Sequence, residues 1–253
     1  MLDTACAMRF FNCMAGEGVP PVANRLLATL DAGSRNRLRA LMEPVSFESG
    51  ATLARAGEPV TYSYFVASGM ISMVKTMKSG RAVEIAAVGR EGMAPLAATL
   101  NFDRAVFDSV VQIRATGFRI AQRELWKSVA QNAEFDRTIH AYGEVAMAQL
   151  ARTAACNILH SVKKRCCRWL LTAHDNAESD VFPLTHEYLA LMLGVRRAAV
   201  SLAAESLQRA GLIEYCHGKM TVKNRPALER AACECYAAGR AELDKLFSTE
   251  QPA

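Results

Sequence analysis

From Pro44 to about Arg119 the chain sets short apolar segments between glycines at 50, 57, 69, 80, 89, 92 and 117. Tyr62-Ser63-Tyr64-Phe65-Val66, Met70-Ile71-Ser72-Met73-Val74, Val83-Glu84-Ile85 and Val110-Val111-Gln112-Ile113 favour a pleated, half-buried surface. Several turns fall 7 to 12 residues apart, as in a small barrel or sandwich. Parallel βαβ units are excluded, because the gaps cannot hold crossover helices. Ahead of this region, Leu26, Leu27, Leu30, Leu38 and Leu41 predict a helix over about 24–42, broken near Asp31-Ala32-Gly33-Ser34. Residues 1–20 read as an irregular leader, ended by Gly16, Gly18, Pro20 and Pro21.

The period changes near Glu124. From there to His174 Gly143 is the one Gly or Pro, and Phe135, Ile139, Tyr142, Ala146, Leu150, Ala154, Ile158 and Val162 recur in steps of three and four. A single helix of ~40 residues would be ~60 Å long. A small barrel cannot cover such a stripe, so part of it is expected to meet a second subunit; two ordinary helices broken near His160 are the alternative. A polar loop, Asp175–Asp180, then precedes a compact unit over 182–222. The expected organisation is α+β: a leader over 1–23, a β-roll with its N-terminal helices over 24–123, a long helix over 124–160, and a C-terminal unit with a helical tail over 161–253.

Composition narrows the classes. With 51% hydrophobic and 22% charged residues among 253, the chain can bury real cores, which excludes wholesale disorder and a collagen repeat. Apolar stretches stop short of the ~18 residues of a membrane span. Asp3 and Arg9 stand where a secretory h-region would run, so a cytoplasmic location with reduced thiols is expected.

The most informative stretch begins at Phe182-Pro183-Leu184-Thr185-His186-Glu187. Thr185 is a good N-cap, and Glu187 suits the first turn of a helix whose apolar face is Leu189, Met192 and Leu193. Gly194 ends it and supplies a tight turn. A second helix starts near Arg196, with Val200, Ala203, Ala204 and Leu207 inward and Arg197, Ser201, Glu205 and Gln208 outward. Two short helices joined by a glycine turn, the second with basic residues at its exposed start, meet the requirements of a helix-turn-helix. Arg196, Arg197, Ser201 and Glu205 are the candidate base readers; an arginine there can make two hydrogen bonds to guanine.

Leu212 to Val222 then alternates around His217-Gly218, a β-hairpin or wing with Lys219 at its tip. Over 160–225 there are ten Lys and Arg against six Asp and Glu, about +4 of the chain's net +5. Charge is thus concentrated where phosphate contact requires it. The alternative is a helical hairpin used for packing.

Taken in order, these units resemble the Crp/Fnr family of bacterial transcription regulators over roughly residues 24–225. The likeness is specific from Leu184-Thr185 through Gly194, at Val200, from Leu207 to Ile213 and at His217-Gly218-Lys219; it is looser at Phe65–Gly69 and Val88–Gly92. The resemblance implies a cyclic-nucleotide-binding-like jelly roll, a long dimerisation helix and a winged helix-turn-helix. It further implies a homodimer on double-stranded DNA with a two-fold operator, with RNA polymerase as a candidate partner and a small-molecule effector whose identity is open. By position, Thr185, Gly218 and Lys219 lie near phosphates, with His186 and His217 beside them, and Arg197 reads bases. Where the family often has an acid and a second arginine, this chain has Ala198 and Leu202. Cyclic-nucleotide binders use a Gly-Glu-Leu turn and an Arg-Ser pair; here these are Gly92-Met93-Ala94-Pro95-Leu96 and Val106-Phe107-Asp108-Ser109. An aspartate there repels a phosphate, so cyclic AMP is not expected.

Eight cysteines stand at 6, 13, 156, 166, 167, 216, 233 and 235. The three closely spaced N-terminal cysteines of oxygen-sensing relatives are not matched by Cys6 and Cys13, so no iron–sulfur cluster, metal or other cofactor is assigned. Cys233-Glu234-Cys235 alone is a weak metal or redox pattern. Cys216 is a candidate redox thiol, because His217 and Lys219 beside it favour a thiolate. His140 and His160 read as interfacial or solvated. No catalytic set emerges, so no enzyme is expected. The rival expectation is a ligand- or thiol-sensing module whose C-terminal unit contacts protein rather than DNA.

Overall fold

The computed structural model describes residues 23–248. The leader expected over 1–23, with Cys6 and Cys13, lies almost wholly outside that range. Helix α1 (Arg25–Ala28) is capped by Asn24, whose side chain accepts from Leu27 N. The same fully buried amide donates to Val66 O and Gly92 O, both at 2.8 Å, and so pins the helix to the roll. Asp31 caps α2 (Ala32–Arg39), which explains the break expected there.

The roll holds β1 (Glu43–Phe47), β2 (Thr52–Ala54), β3 (Tyr62–Thr76), β4 (Ala82–Val88), β5 (Met93–Ala94) and β6 (Asp108–Ala121). Strand order is β1-β6-β3-β4, with β2 on β6 and β5 on β3, all antiparallel. The segments 62–66 and 70–74, expected as separate strands, belong to one 15-residue strand. Gly69 is a bend inside β3, not its end. Its φ is +82°, and a Cβ there would lie 2.1 Å from the Arg114 carbonyl oxygen. The β3–β6 ladder shifts register around it and continues to Val74↔Asp108.

The helical run from 124 is also divided, into α3 (Gln122–Ala130), α4 (Ala133–Leu159) and α5 (Val162–Asn176). Helix α4 therefore starts at Ala133 rather than 124. Asn132 breaks the run by capping α4 through Glu134 N and Phe135 N, and Ser161 caps α5 through Lys164 N. Along α4 the expected stripe stays on the roll: Phe135, Ile139, Tyr142 and Ala146 are buried there with Phe65, Met93 and Phe118, and Leu150 is half-buried against the same core. On a different face Met147, Ala151, Ala154 and Ile158, in steps of four, three and four, point to solvent.

The C-terminal unit comprises β7 (Val181–Pro183), α6 (His186–Leu193), α7 (Arg197–Arg209), β8 (Ile213–Cys216), β9 (Lys219–Val222), α8 (Arg225–Ala231) and α9 (Cys235–Phe247). Its sheet runs β7-β9-β8, so a third strand joins the expected hairpin. Trp169, Leu170, Leu189, Leu193, Val200, Leu207 and Met220 form its core, which continues into Met70, Val74, Ala87 and Ile113 of the roll. Burial of each large aliphatic side chain stabilises by ~1.5–3 kcal/mol. At this junction Glu84 is almost fully buried. It accepts from Ser72 Oγ at 2.5 Å and from Trp169 Nε1 at 3.0 Å. Burial pushes its carboxyl up to about 7, although both hydrogen bonds and the Arg168 charge favour the anion. The tail is not a loose end: α9 folds back along α4 and α5.

Candidate nucleic-acid interface

Helix α6 starts as the sequence predicts, with Thr185 Oγ1 accepting from Tyr188 N at 3.1 Å. Gly194 takes the left-handed conformation (φ +63°) that closes the turn. Arg196 is the N-cap of α7, and Arg197 is its first residue. Both arginines are exposed. Arg197 Nε pairs with Glu187 Oε1 at 2.9 Å. Glu205 is exposed and lies 3.8 Å from Arg209. Ser201 is half-buried, its hydroxyl 3.1 Å from His186 Nδ1. Leu202 is 68% exposed, an apolar side chain displayed among these polar ones.

The wing turn has positive φ at both His217 (+48°) and Gly218 (+76°), the primed geometry that matches strand twist. Leu184 N donates to Gly218 O at 2.9 Å, bringing the wing tip to the start of α6. The His186 ring stacks on Tyr215 with centroids 4.1 Å apart, and Gln208 Oε1 accepts from Tyr215 N at 2.8 Å. One connected surface therefore runs from Arg197 through Glu187, His186 and Ser201 to the wing, where His217 and Lys219 are exposed. His186, expected beside a phosphate, also makes contacts within the head. Its half-buried ring packs between Ser201 and Tyr215, and burial, followed by the Arg197 charge, lowers its pKa. Gln208 is likewise spent on the wing backbone.

Cys216 is exposed, with Sγ 3.0 Å from His217 Nδ1. Cys166 and Cys167 are buried on α5, where burial pushes their thiols up to about 12 and about 11, so both are inert. His140 stays on the exposed face of α4, bonded to the Asp136 carbonyl. Four residues the sequence keeps apart meet: Cys156, His160, Cys233 and Cys235. Burial opposes the Cys156 thiolate, yet the His160 ring, Arg168 and the neighbouring thiols hold its pKa below the ordinary value. Local sequence reading missed this group because 77 residues separate Cys156 from Cys233.

A groove opens between the roll, α4, α5 and α9, where Arg25, Arg90, Glu91, Arg152, Arg168 and Asp175 line it. The tail supplies counter-charges: Asp244 pairs with Arg25 at 3.4 Å, and Glu242 pairs with Arg152. At the turn where cyclic-nucleotide binders place a ribose, Met93 and Ala94 are fully buried, and a Cβ on Gly92 would meet the Tyr142 hydroxyl. Asp108 accepts from Ala56 N and Thr76 Oγ1.

An antiparallel β-roll joined through a long helix to a winged helix-turn-helix is the architecture of a class of transcription regulators. A cyclic nucleotide-binding domain model matches residues 44–132, and a Crp-like helix-turn-helix domain model matches 164–231. Solved structures share the fold. FixK2 from Bradyrhizobium japonicum aligns with a TM-score of 0.63 at 16% identity, over 76% of this chain and 98% of its own. The c-di-GMP responsive global regulator CLP of Xanthomonas campestris aligns at 0.59 and 18%, over 76% and 99%. A Crp/Fnr-family transcriptional regulator from Thermus thermophilus aligns at 0.58 and 22%, over 75% and 98%. No curated protein matches the chain in sequence. The chain belongs to the Crp/Fnr family of transcription regulators.

Proposed function

We propose that the protein acts in the cytoplasm as a homodimer on a two-fold DNA operator, one half-site per subunit, with the roll and its flanking helices up to Ala130 as sensor, the long helix from Ala133 to His160 as dimer axis and 161–253 as DNA-binding head. The observation that carries this reading is the exposed pair Arg196 and Arg197 at the start of α7, on a surface continuous with Lys219 of the wing. Arg197 forks to a guanine, a contact worth ~1–3 kcal/mol of discrimination. Arg196, Ser201 and Glu205 flank it, and Leu202 meets a thymine methyl group. Thr185, His217, Gly218 and Lys219 hold phosphates and set register. The outward stripe Met147–Ala151–Ala154–Ile158 has the spacing of a coiled-coil seam, which supports pairing through α4. The effector is not cyclic AMP, because buried apolar residues occupy the ribose turn and Asp108 the phosphate position. RNA polymerase is the expected protein partner.

The test is duplex binding of the full chain at several salt concentrations, using operators selected from random sequence. Affinity should fall steeply with salt. Arg197→Ala should lose sequence preference, whereas Lys219→Ala should weaken all duplexes alike and lower the salt slope by about one. Salt-independent behaviour, or no duplex binding, would favour a head that contacts protein.

A further inference from the structure

We propose that Cys156, His160, Cys233 and Cys235 form a closed tetrahedral site for one soft divalent cation of the zinc class, which fastens the tail to the end of the long helix. All four donor atoms lie within 4.8 Å of one another. Cys156 Sγ is 3.6 Å from Cys233 Sγ, and Cys235 Sγ is 3.6 Å from His160 Nδ1. A tetrahedral ion with bonds of ~2.3 Å to sulfur and ~2.0 Å to nitrogen spaces its ligands ~3.5–3.8 Å apart. The separation between the two sulfurs is far beyond a disulfide bond of ~2.05 Å. An iron–sulfur cluster, whose thiolates bind different irons, needs a wider set.

The fold explains why these side chains converge. Cys156 and His160 stand four residues apart, on one face at the end of α4. Cys233 and Cys235 bracket the start of α9, which packs on α4. Glu234 between them fixes the histidine. Its carboxylate, an acceptor only, lies 3.1 Å from His160 Nε2. That nitrogen therefore carries the proton, and the Nδ1 lone pair faces the thiols. Such a carboxylate–histidine pair orients a metal-binding imidazole.

Three thiolates around a dication leave one negative charge. Arg165 and Arg168 stand on the neighbouring helix α5, and their buried Nε atoms have no hydrogen-bond partner among the described residues. These N–H groups are suited to coordinated sulfur. With four protein ligands no position stays open for substrate, so the role is structural. The ion sits where His160 ends α4 and Ser161 caps α5, at the joint between the long helix and the DNA-binding head.

Adding Co2+ alone to the reduced, chelator-stripped full chain tests the site. One equivalent should bind, with the intense visible bands of a tetrahedral ion and thiolate-to-cobalt absorption in the near ultraviolet; Zn2+ should bleach both. The half-exposed Cys235→Ser should lose the thiolate bands and weaken binding at least ~100-fold, and Glu234→Gln should weaken it ~10–100-fold. Cys216→Ser, remote on the wing, should match the parent. Circular dichroism confirms that the variants are folded. Should Cys235→Ser misfold, the parent's stoichiometry and spectrum decide alone. No bound cobalt, an octahedral spectrum without thiolate bands, equal binding by folded Cys235→Ser, or a Cys156–Cys233 disulfide in reduced preparations would overturn the proposal.

Discussion

Glu84 sits where the roll meets the DNA-binding head, and replacing it with glutamine should change how stability follows pH. Its folded pKa is about 7, against an ordinary value of 4.5. The folded state therefore holds the proton more tightly than the unfolded chain does. The sign follows: its contribution is fully present below the unfolded value and is lost as pH rises through about 7. At about 1.4 kcal/mol per pH unit, that gap corresponds to about 3 kcal/mol lost between about pH 4.5 and pH 8. Glutamine cannot ionise, yet its carbonyl oxygen can accept from Trp169 Nε1 and its amide can donate to Ser72 Oγ. Urea unfolding of parent and Glu84→Gln at constant ionic strength isolates the group, because other titrations cancel in the difference. The parent should lose about 3 kcal/mol relative to the variant across that window. Parallel curves would show that the carboxyl does not titrate in this range and would refute the reasoning.

Other substitutions test the seam, the roll and the head. Ile158, 84% exposed, should tolerate glutamate in the monomer within ~0.5 kcal/mol, while sedimentation shows the dimer dissociating; an intact dimer would count against the seam. In Gly117→Ala the new methyl would lie 2.1 Å from the Phe65 carbonyl oxygen, so denaturant unfolding should show a loss of about 3 kcal/mol. Leu207→Ala empties a fully buried position behind α7 and should cost ~2–5 kcal/mol by the same measurement. Thr185→Ala removes the cap of α6 and should cost ~1 kcal/mol, a smaller loss than Leu207→Ala.

What the sequence made legible was local. Thr185, Gly194 and the His217-Gly218 turn each act within a few residues, and each stands where the pattern puts it. The outward face of α7 follows from its helical period in the same way. The misread places are those where distant contacts decide. Gly69 looks like punctuation, but a long ladder with β6 carries the strand through it. Asn132 sits inside an unbroken helical period, and only its side-chain cap divides α3 from α4. Glu84 occupies an ordinary strand alternation until α5 covers it with Trp169. The meeting of Cys156 and His160 with Cys233 and Cys235 requires α9 to return along α4, which no local pattern encodes.

The outward stripe of α4 is narrow in the middle and broad at its ends, with Ala151 and Ala154 between Met147 and Ile158. In the proposed pair the two rods would touch most closely at the alanines and cross there, so that this point acts as a fulcrum. Half-sites one helical turn apart, ~34 Å, put each reading helix ~17 Å from the dyad. A tilt of ~10° about the alanines then shifts each by ~3 Å, enough to lift a guanidinium fork off its base. Whatever stiffens or loosens that crossing would govern when the genome is read.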